Sequence, residues 1–184
     1  MELELKRGGR TARVETLGGE LVSYRDERGL EYIWGGDPAY WPGRNPLLFP
    51  IVGMLKEGKI RFDGREYAME RHGFARRREF TPAARGEDWV RLELRESAET
   101  LALYPYSFRL AVEQRLTDTG FSTAVTVANP GEGPLPFCLG AHTGFRCPLE
   151  AGERFEDYEL VFPERESCPT LLLRDGLVNF RQTE

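Results

Sequence analysis

A hydrophobic alternation of period two, repeated in short runs with turn residues between them, constrains this chain more than any other feature. Trp89-Val90-Arg91-Leu92-Glu93-Leu94-Arg95 alternates cleanly, as do Phe108 to Leu116 and, after Asp118-Thr119-Gly120, Phe121 to Val127. Successive side chains on a strand point to opposite faces, so such runs predict half-buried β-strands. The last two are expected to pair antiparallel across their short turn. Arg13 to Leu17 leads through Gly18-Gly19 into Leu21 to Tyr24, and Asp26 to Gly29 turns the chain toward Leu30 to Trp34, which reads as a meander. Lys59 to Phe62 and Arg65 to Tyr67 flank Asp63-Gly64. That dipeptide accepts the positive φ angles of a type I′ hairpin turn. Only Ser97 to Leu103 suggests a helical turn, with Ser97 as its cap and Tyr104-Pro105 as its end. Asn129 to Pro136, rich in proline and glycine, reads as a long hairpin loop. The expectation is an all-β antiparallel fold with little helix, residues 1–184 forming a single domain.

Charge narrows the partners. The formal net charge is -5, and binding to phosphate backbones or anionic lipid feeds on clustered Lys and Arg, so no nucleic-acid partner is expected. Arg76-Arg77-Arg78 is the one dense basic run; Arg77 and Arg78 are read as a solvated face. The opening residues lack the basic and then apolar regions of a signal peptide. The most apolar stretch, Pro46 to Leu55, contains two prolines and a glycine and is too short to span a bilayer, so no membrane partner is expected. Cys138, Cys147 and Cys168 have no paired spacing, which fits reduced thiols and a cytoplasmic location.

Both histidines sit among small residues, in His72-Gly73-Phe74-Ala75-Arg76 and in Leu139-Gly140-Ala141-His142-Thr143-Gly144-Phe145. Glycine beside a histidine clears bulk around the ring, and imidazole donates or accepts a proton near neutral pH. A lone histidine is more often a hydrogen-bonded structural residue; two in such contexts make the chemical reading equally good. No HxH pair or converging ligand set supports a metal-dependent cupin-like barrel, and no metal or organic cofactor is expected.

Taken in order, Asn45-Pro46-Leu47-Leu48-Phe49-Pro50-Ile51-Val52-Gly53, the His72 to Arg76 motif, Tyr104-Pro105-Tyr106-Ser107-Phe108 and Leu139 to Leu149 resemble the aldose 1-epimerase (galactose mutarotase-like) superfamily, in particular its LacX-like branch. The resemblance implies a galactose mutarotase-like super-β-sandwich and a free aldohexose as substrate. It also implies mutarotation by general acid/base ring opening, His142 acting as acid and His72 holding sugar hydroxyls. Asn45 and Arg76 would donate to sugar oxygens, and Phe145, Tyr104 or Trp41 would offer a flat apolar face to the ring.

Two features depart from the family pattern. Met54 stands where an arginine is frequent, leaving Lys56 or Arg44 to replace it, and Thr143 follows His142 where proline is usual. The family's general base is a glutamate near the end of a longer chain, and no residue here maps to it; Glu184 is not promoted to that role. By the resemblance the C-terminal third of the family domain is absent, and exposed sheet edges then open a route to a homo-oligomer. The rival reading is a non-catalytic carbohydrate-binding β-sandwich that keeps the cleft without the base.

Overall fold

The computed structural model describes residues 1–165 and 167–183; Glu184 lies outside them. Along the chain the strands are β1 (Glu2–Arg7), β2 (Arg10–Glu15), β3 (Glu20–Arg25), β4 (Leu47–Leu48), β5 (Lys59–Phe62), β6 (Arg65–Ala68), β7 (Thr81–Arg85), β8 (Trp89–Arg95), β9 (Arg109–Leu116), β10 (Phe121–Ala128), β11 (Gly140–Ala141), β12 (Leu171–Arg174) and β13 (Leu177–Thr183). One short helix, α1 (Ala98–Leu101), carries the expected Ser97 cap: the Thr100 amide donates to the Ser97 hydroxyl, and the Ser97 amide donates to Thr100 Oγ1. Among the described residues no helix is long and apolar enough to cross a membrane.

Two antiparallel sheets make the body, one ordered β1-β2-β3 and the other β10-β9-β8-β7. Their alternation sorts side chains as the sequence predicts. Leu3, Leu5, Ala12, Val14 and Leu21 from the first sheet join Val90, Leu92, Leu94, Leu110, Val112 and Leu116 from the second in one buried cluster. Burying each Leu or Val of this cluster stabilises the fold by roughly 1.5–3 kcal/mol. Gln114, inside this core, is hydrogen-bonded at both ends. Its amide donates to the Gly19 carbonyl (2.9 Å) and its oxygen accepts from the Thr123 hydroxyl (2.6 Å), so a buried polar group ties the two sheets together without a desolvation penalty left open.

Asp63-Gly64 forms the tight hairpin between β5 and β6, both residues at positive φ. Two expectations need correction. Leu30 to Trp34 is not a strand; it makes only single bridges, Glu31 with Arg25 and Ile33 with Phe145, because the Glu31 carboxylate turns back to the Ser23 hydroxyl and the Tyr24 amide. Asn129 to Pro136 does not close a hairpin, since the strand after it, β11, pairs with β4 and not with β10. Arg76 and Arg77 lie in a 3-10 turn (Ala75–Arg77), where Arg77 pairs with Glu70, and Arg78 just beyond it pairs with Glu99.

A second apolar focus is aromatic. Phe49 packs against Phe74, Tyr104, Phe108 and Phe137, with ring centroids 5.3–6.1 Å apart. This cluster is the floor on which the two histidine loops rest.

Candidate active site

The segment from Arg44 to Gly53 is the spine that brings the two histidines together. On one side it holds the His72 loop. The Phe49 carbonyl accepts from the amides of Phe74 (3.0 Å) and Ala75 (3.2 Å), and the His72 amide donates to the Gly53 carbonyl (2.8 Å). On the other side it holds the His142 loop. Leu47-Leu48 pairs with Gly140-Ala141, the Cys138 amide donates to the Pro50 carbonyl (2.8 Å) and the His142 amide to the Pro46 carbonyl (3.2 Å). The result sets the two imidazoles 6.3 Å apart between centroids, with their planes at 48°.

Backbone geometry explains the small residues beside the histidines. His72 itself has φ 67°, and Gly73 follows at φ 68°. A Cβ on Gly73 would lie 2.2 Å from the Phe49 carbonyl oxygen, so glycine alone lets the loop meet the spine. A Cβ on Gly144 would lie 2.8 Å from the Trp41 ring, which lets that indole approach the His142 loop.

His72 is partly buried and its Nδ1 accepts a hydrogen bond from the Gly53 amide (3.0 Å). An accepting Nδ1 places the proton of the neutral ring on Nε2. Burial, and then the positive charges of Arg76, His142 and Arg71, hold its pKa below the ordinary histidine value. His72 is therefore neutral at physiological pH and offers an Nε2–H donor. His142 is exposed, and the Trp41 ring meets it edge-on at 4.9 Å.

Asn45 ties the spine directly to the His142 loop, its Oδ1 accepting from the Thr143 hydroxyl (2.6 Å). Behind it, one oxygen of Glu20 accepts from the backbone amides of Arg44 (2.9 Å) and Asn45 (2.6 Å), and the Trp34 indole donates to the Trp41 carbonyl (2.8 Å). Arg76 borders the His72 loop. Its guanidinium donates to the Arg71 carbonyl (2.9 Å), while its buried Nε has no protein partner. Phe145 is 67% exposed beside its bridge with Ile33. Met54 Sδ takes a contact from Arg71 Nη2 (3.5 Å), and its methyl closes on Gly176 of the β12–β13 turn.

Tyr104 has to be withdrawn as a sugar platform. It is wholly buried in the aromatic floor and its hydroxyl donates to the Pro136 carbonyl (2.8 Å), so no ring face reaches a ligand. Burial and the nearby Tyr106 push its hydroxyl pKa well up. Glu20, which fixes the Arg44–Asn45 turn, carries no local signal in the sequence, being one glutamate at the start of a strand.

The arrangement presents two neighbouring imidazoles to one small polar molecule, one a neutral donor and the other reachable from solvent. The chain is similar to several known proteins. The family described as Aldose 1-epimerase matches residues 1–183. The plasmid and chromosomal LacX proteins of Lactococcus lactis subsp. lactis are each 41% identical over 98% of this chain, which spans 63% of their length. A galactose mutarotase related enzyme from Lactobacillus acidophilus superposes with a TM-score of 0.95 at 25% identity, covering all of this chain and 62% of its own. A galactose mutarotase-like protein from Lactobacillus casei reaches 0.78 at 33% identity, covering 82% of this chain and 52% of its own. The antiparallel all-β architecture is thus the galactose mutarotase-like one, and the chain belongs to the aldose 1-epimerase family.

Proposed function

We propose that this chain binds a free aldohexose against the neighbouring His72 and His142 rings and takes part in interconverting its α and β anomers. The observation that carries the reading is the 6.3 Å separation of two imidazoles delivered by separate loops, with an indole against one of them. Mutarotation needs only proton transfers. A base removes the anomeric hydroxyl proton while an acid protonates the ring oxygen; the C1–O5 bond breaks, the aldehyde rotates about its bond to C2, and reclosure gives the other anomer. His142, exposed to solvent, takes the role of acid. His72, neutral with its proton on Nε2, donates to a sugar oxygen and fixes the pyranose near His142. Asn45, Arg76, Trp41 and Phe145 border these two groups and supply polar and flat apolar contacts. A positioned proton-transfer group contributes on the order of 10² to 10⁴ in rate.

The base is assigned to no residue of 1–184, so the competing reading is a sugar-binding module that holds the hexose without turning it over. Polarimetry and NMR on freshly dissolved α-glucose and α-galactose separate the two. Acceleration of anomer exchange that disappears in His142→Ala supports catalysis. Saturable binding with no acceleration leaves the binding module. Absence of both removes the carbohydrate assignment. A cytoplasmic location belongs to the same proposal and rests on the unpaired spacing of the three cysteines.

A further inference from the structure

The chain after β3 begins a hairpin and then leaves it. The Tyr32 amide donates to the Tyr24 carbonyl (3.0 Å), which is one half of the reciprocal pair that opposed residues exchange in an antiparallel ladder. The other half would run from the Tyr24 amide to the Tyr32 carbonyl. Instead the Tyr24 amide donates to the Glu31 carboxylate (2.9 Å), and the Tyr32 carbonyl accepts from the Arg146 amide (2.8 Å). The same Glu31 oxygen accepts from the Ile33 amide (3.0 Å), while the second oxygen takes the Ser23 hydroxyl and the Arg25 guanidinium (3.3 Å). A side-chain carboxylate stands in for a backbone acceptor and turns residues 32–34 away from β3.

That segment pairs with the chain just beyond His142. The Trp34 amide donates to the Gly144 carbonyl (2.9 Å), and this bond and the one from Arg146 to Tyr32 frame the bridge between Ile33 and Phe145. Gly144 is held from both sides, because its own amide donates to the Arg44 carbonyl (2.7 Å). The approach is close: a Cβ on Gly144 would lie 3.0 Å from the Trp34 Cβ. Trp34 also reaches the other group beside the imidazole, since its indole donates to the carbonyl of Trp41, whose ring meets His142.

We infer that Glu31 is a positioning residue for His142 and Trp41, acting through the backbone of residues 32–34. Every link in this set of contacts is made within residues 23–146. Without the carboxylate, the Tyr24 amide is left with a desolvation cost, and the Tyr32 carbonyl is its ladder partner. Taking that acceptor draws residues 32–34 into β3's ladder in competition with Arg146, and the His142 loop loses its far support. The consequence for turnover rests on the hexose reading; the consequence for the loop does not.

The test is amide hydrogen exchange of the full chain by heteronuclear NMR, read at Trp34 and Arg146, together with the nuclear Overhauser contact between the Trp41 and His142 rings. Glu31→Ala should speed exchange at both amides by roughly tenfold or more, the scale set by losing a charge-assisted acceptor, and weaken the ring contact. Leu92 and Val112 in the core should keep their wild-type rates. Glu31→Gln keeps an oxygen for the Tyr24 and Ile33 amides and should restore both signals. Glu31→Asp keeps the charge but withdraws it by a methylene, and should resemble Glu31→Ala; these two variants carry the comparison if the alanine variant does not fold. Arg25→Ala removes only the exposed charge partner and should change neither signal. Unchanged exchange at Trp34 and Arg146 in Glu31→Ala, equal acceleration at Leu92 and Val112, or a glutamine variant no better than the aspartate one overturns the inference. On the hexose reading, anomer exchange of α-glucose should be lost in Glu31→Ala and return in Glu31→Gln. A wild type inert toward hexoses removes that reading and leaves the exchange result to decide Glu31.

Discussion

Gly53 and His72 hold each other twice: the His72 amide donates to the Gly53 carbonyl, and the Gly53 amide donates to His72 Nδ1. The second bond exists only while Nδ1 carries no proton. Backbone and ring are thus locked by one residue, and the lock depends on protonation state.

Stability should therefore change with pH in a defined direction. Burial, and then Arg76, His142 and Arg71, depress the His72 pKa, so the folded protein takes up a proton less readily than the unfolded chain. Where the unfolded state binds more protons, stability rises with pH. The contribution of neutral His72 is complete above the unfolded value of about 6.5. It is lost as pH falls through that value and through the lower folded one. Thermal unfolding midpoints measured from neutral pH downward should drop more steeply for wild type than for His72→Asn, which tolerates the same positive φ without the titrating ring. Equal slopes would remove the lock.

The approach of the His72 loop to the spine rests on Gly73. Gly73→Ala combines a left-handed φ, costing about 1–2 kcal/mol for an L-residue, with a Cβ placed against the Phe49 carbonyl. Relief requires the loop to move away, so urea unfolding should show a loss on the order of 3 kcal/mol or more. Gly29→Ala makes the matched control: its φ is +81° but nothing lies within 4 Å of the new Cβ. It should show only the left-handed cost. If both variants lose the same stability, the close approach contributes nothing.

What the sequence disclosed and what it hid follow from range. Trp89 to Arg95 and Arg109 to Leu116 are legible because alternation is a local property, and Ser97 caps α1 through contacts three residues away. Asp63-Gly64 is legible as a hairpin turn because alternating strands flank it; Asp175-Gly176 turns β12 into β13 with the same positive φ angles but gives no such signal, because Leu171-Leu172-Leu173 before it does not alternate. Leu30 to Trp34 alternates yet fails to form a strand, since the Glu31 carboxylate satisfies neighbouring backbone groups itself. At the site, the two histidines were visible as residues, but their meeting is decided by the spine between Arg44 and Gly53, whose partners are distant in the chain. Tyr104 shows the same limit from the other side: an aromatic on a motif cannot be told from a core aromatic until the Pro136 carbonyl is seen to accept from its hydroxyl.

Glu20 is the distant residue whose removal tests that account most directly. It lies at the start of β3, and one of its oxygens receives both the Arg44 and the Asn45 amides, fixing the loop from which Asn45 reaches Thr143 beside His142. A charge-assisted acceptor of this kind contributes about 1.5–3 kcal/mol, and its loss leaves two amides unsatisfied. Glu20→Ala should lower unfolding stability by an amount in that range and weaken hexose binding, because Asn45 and Thr143 lose their fixed position. Glu20→Gln keeps a neutral oxygen that can accept both amides, and it should recover most of the binding while giving back only part of the stability. That ordering distinguishes an acceptor from a general structural residue: titration calorimetry with a hexose should rank wild type first, Glu20→Gln close behind and Glu20→Ala last. Equal binding by both variants would mean that the Asn45 loop is held by something other than this carboxylate.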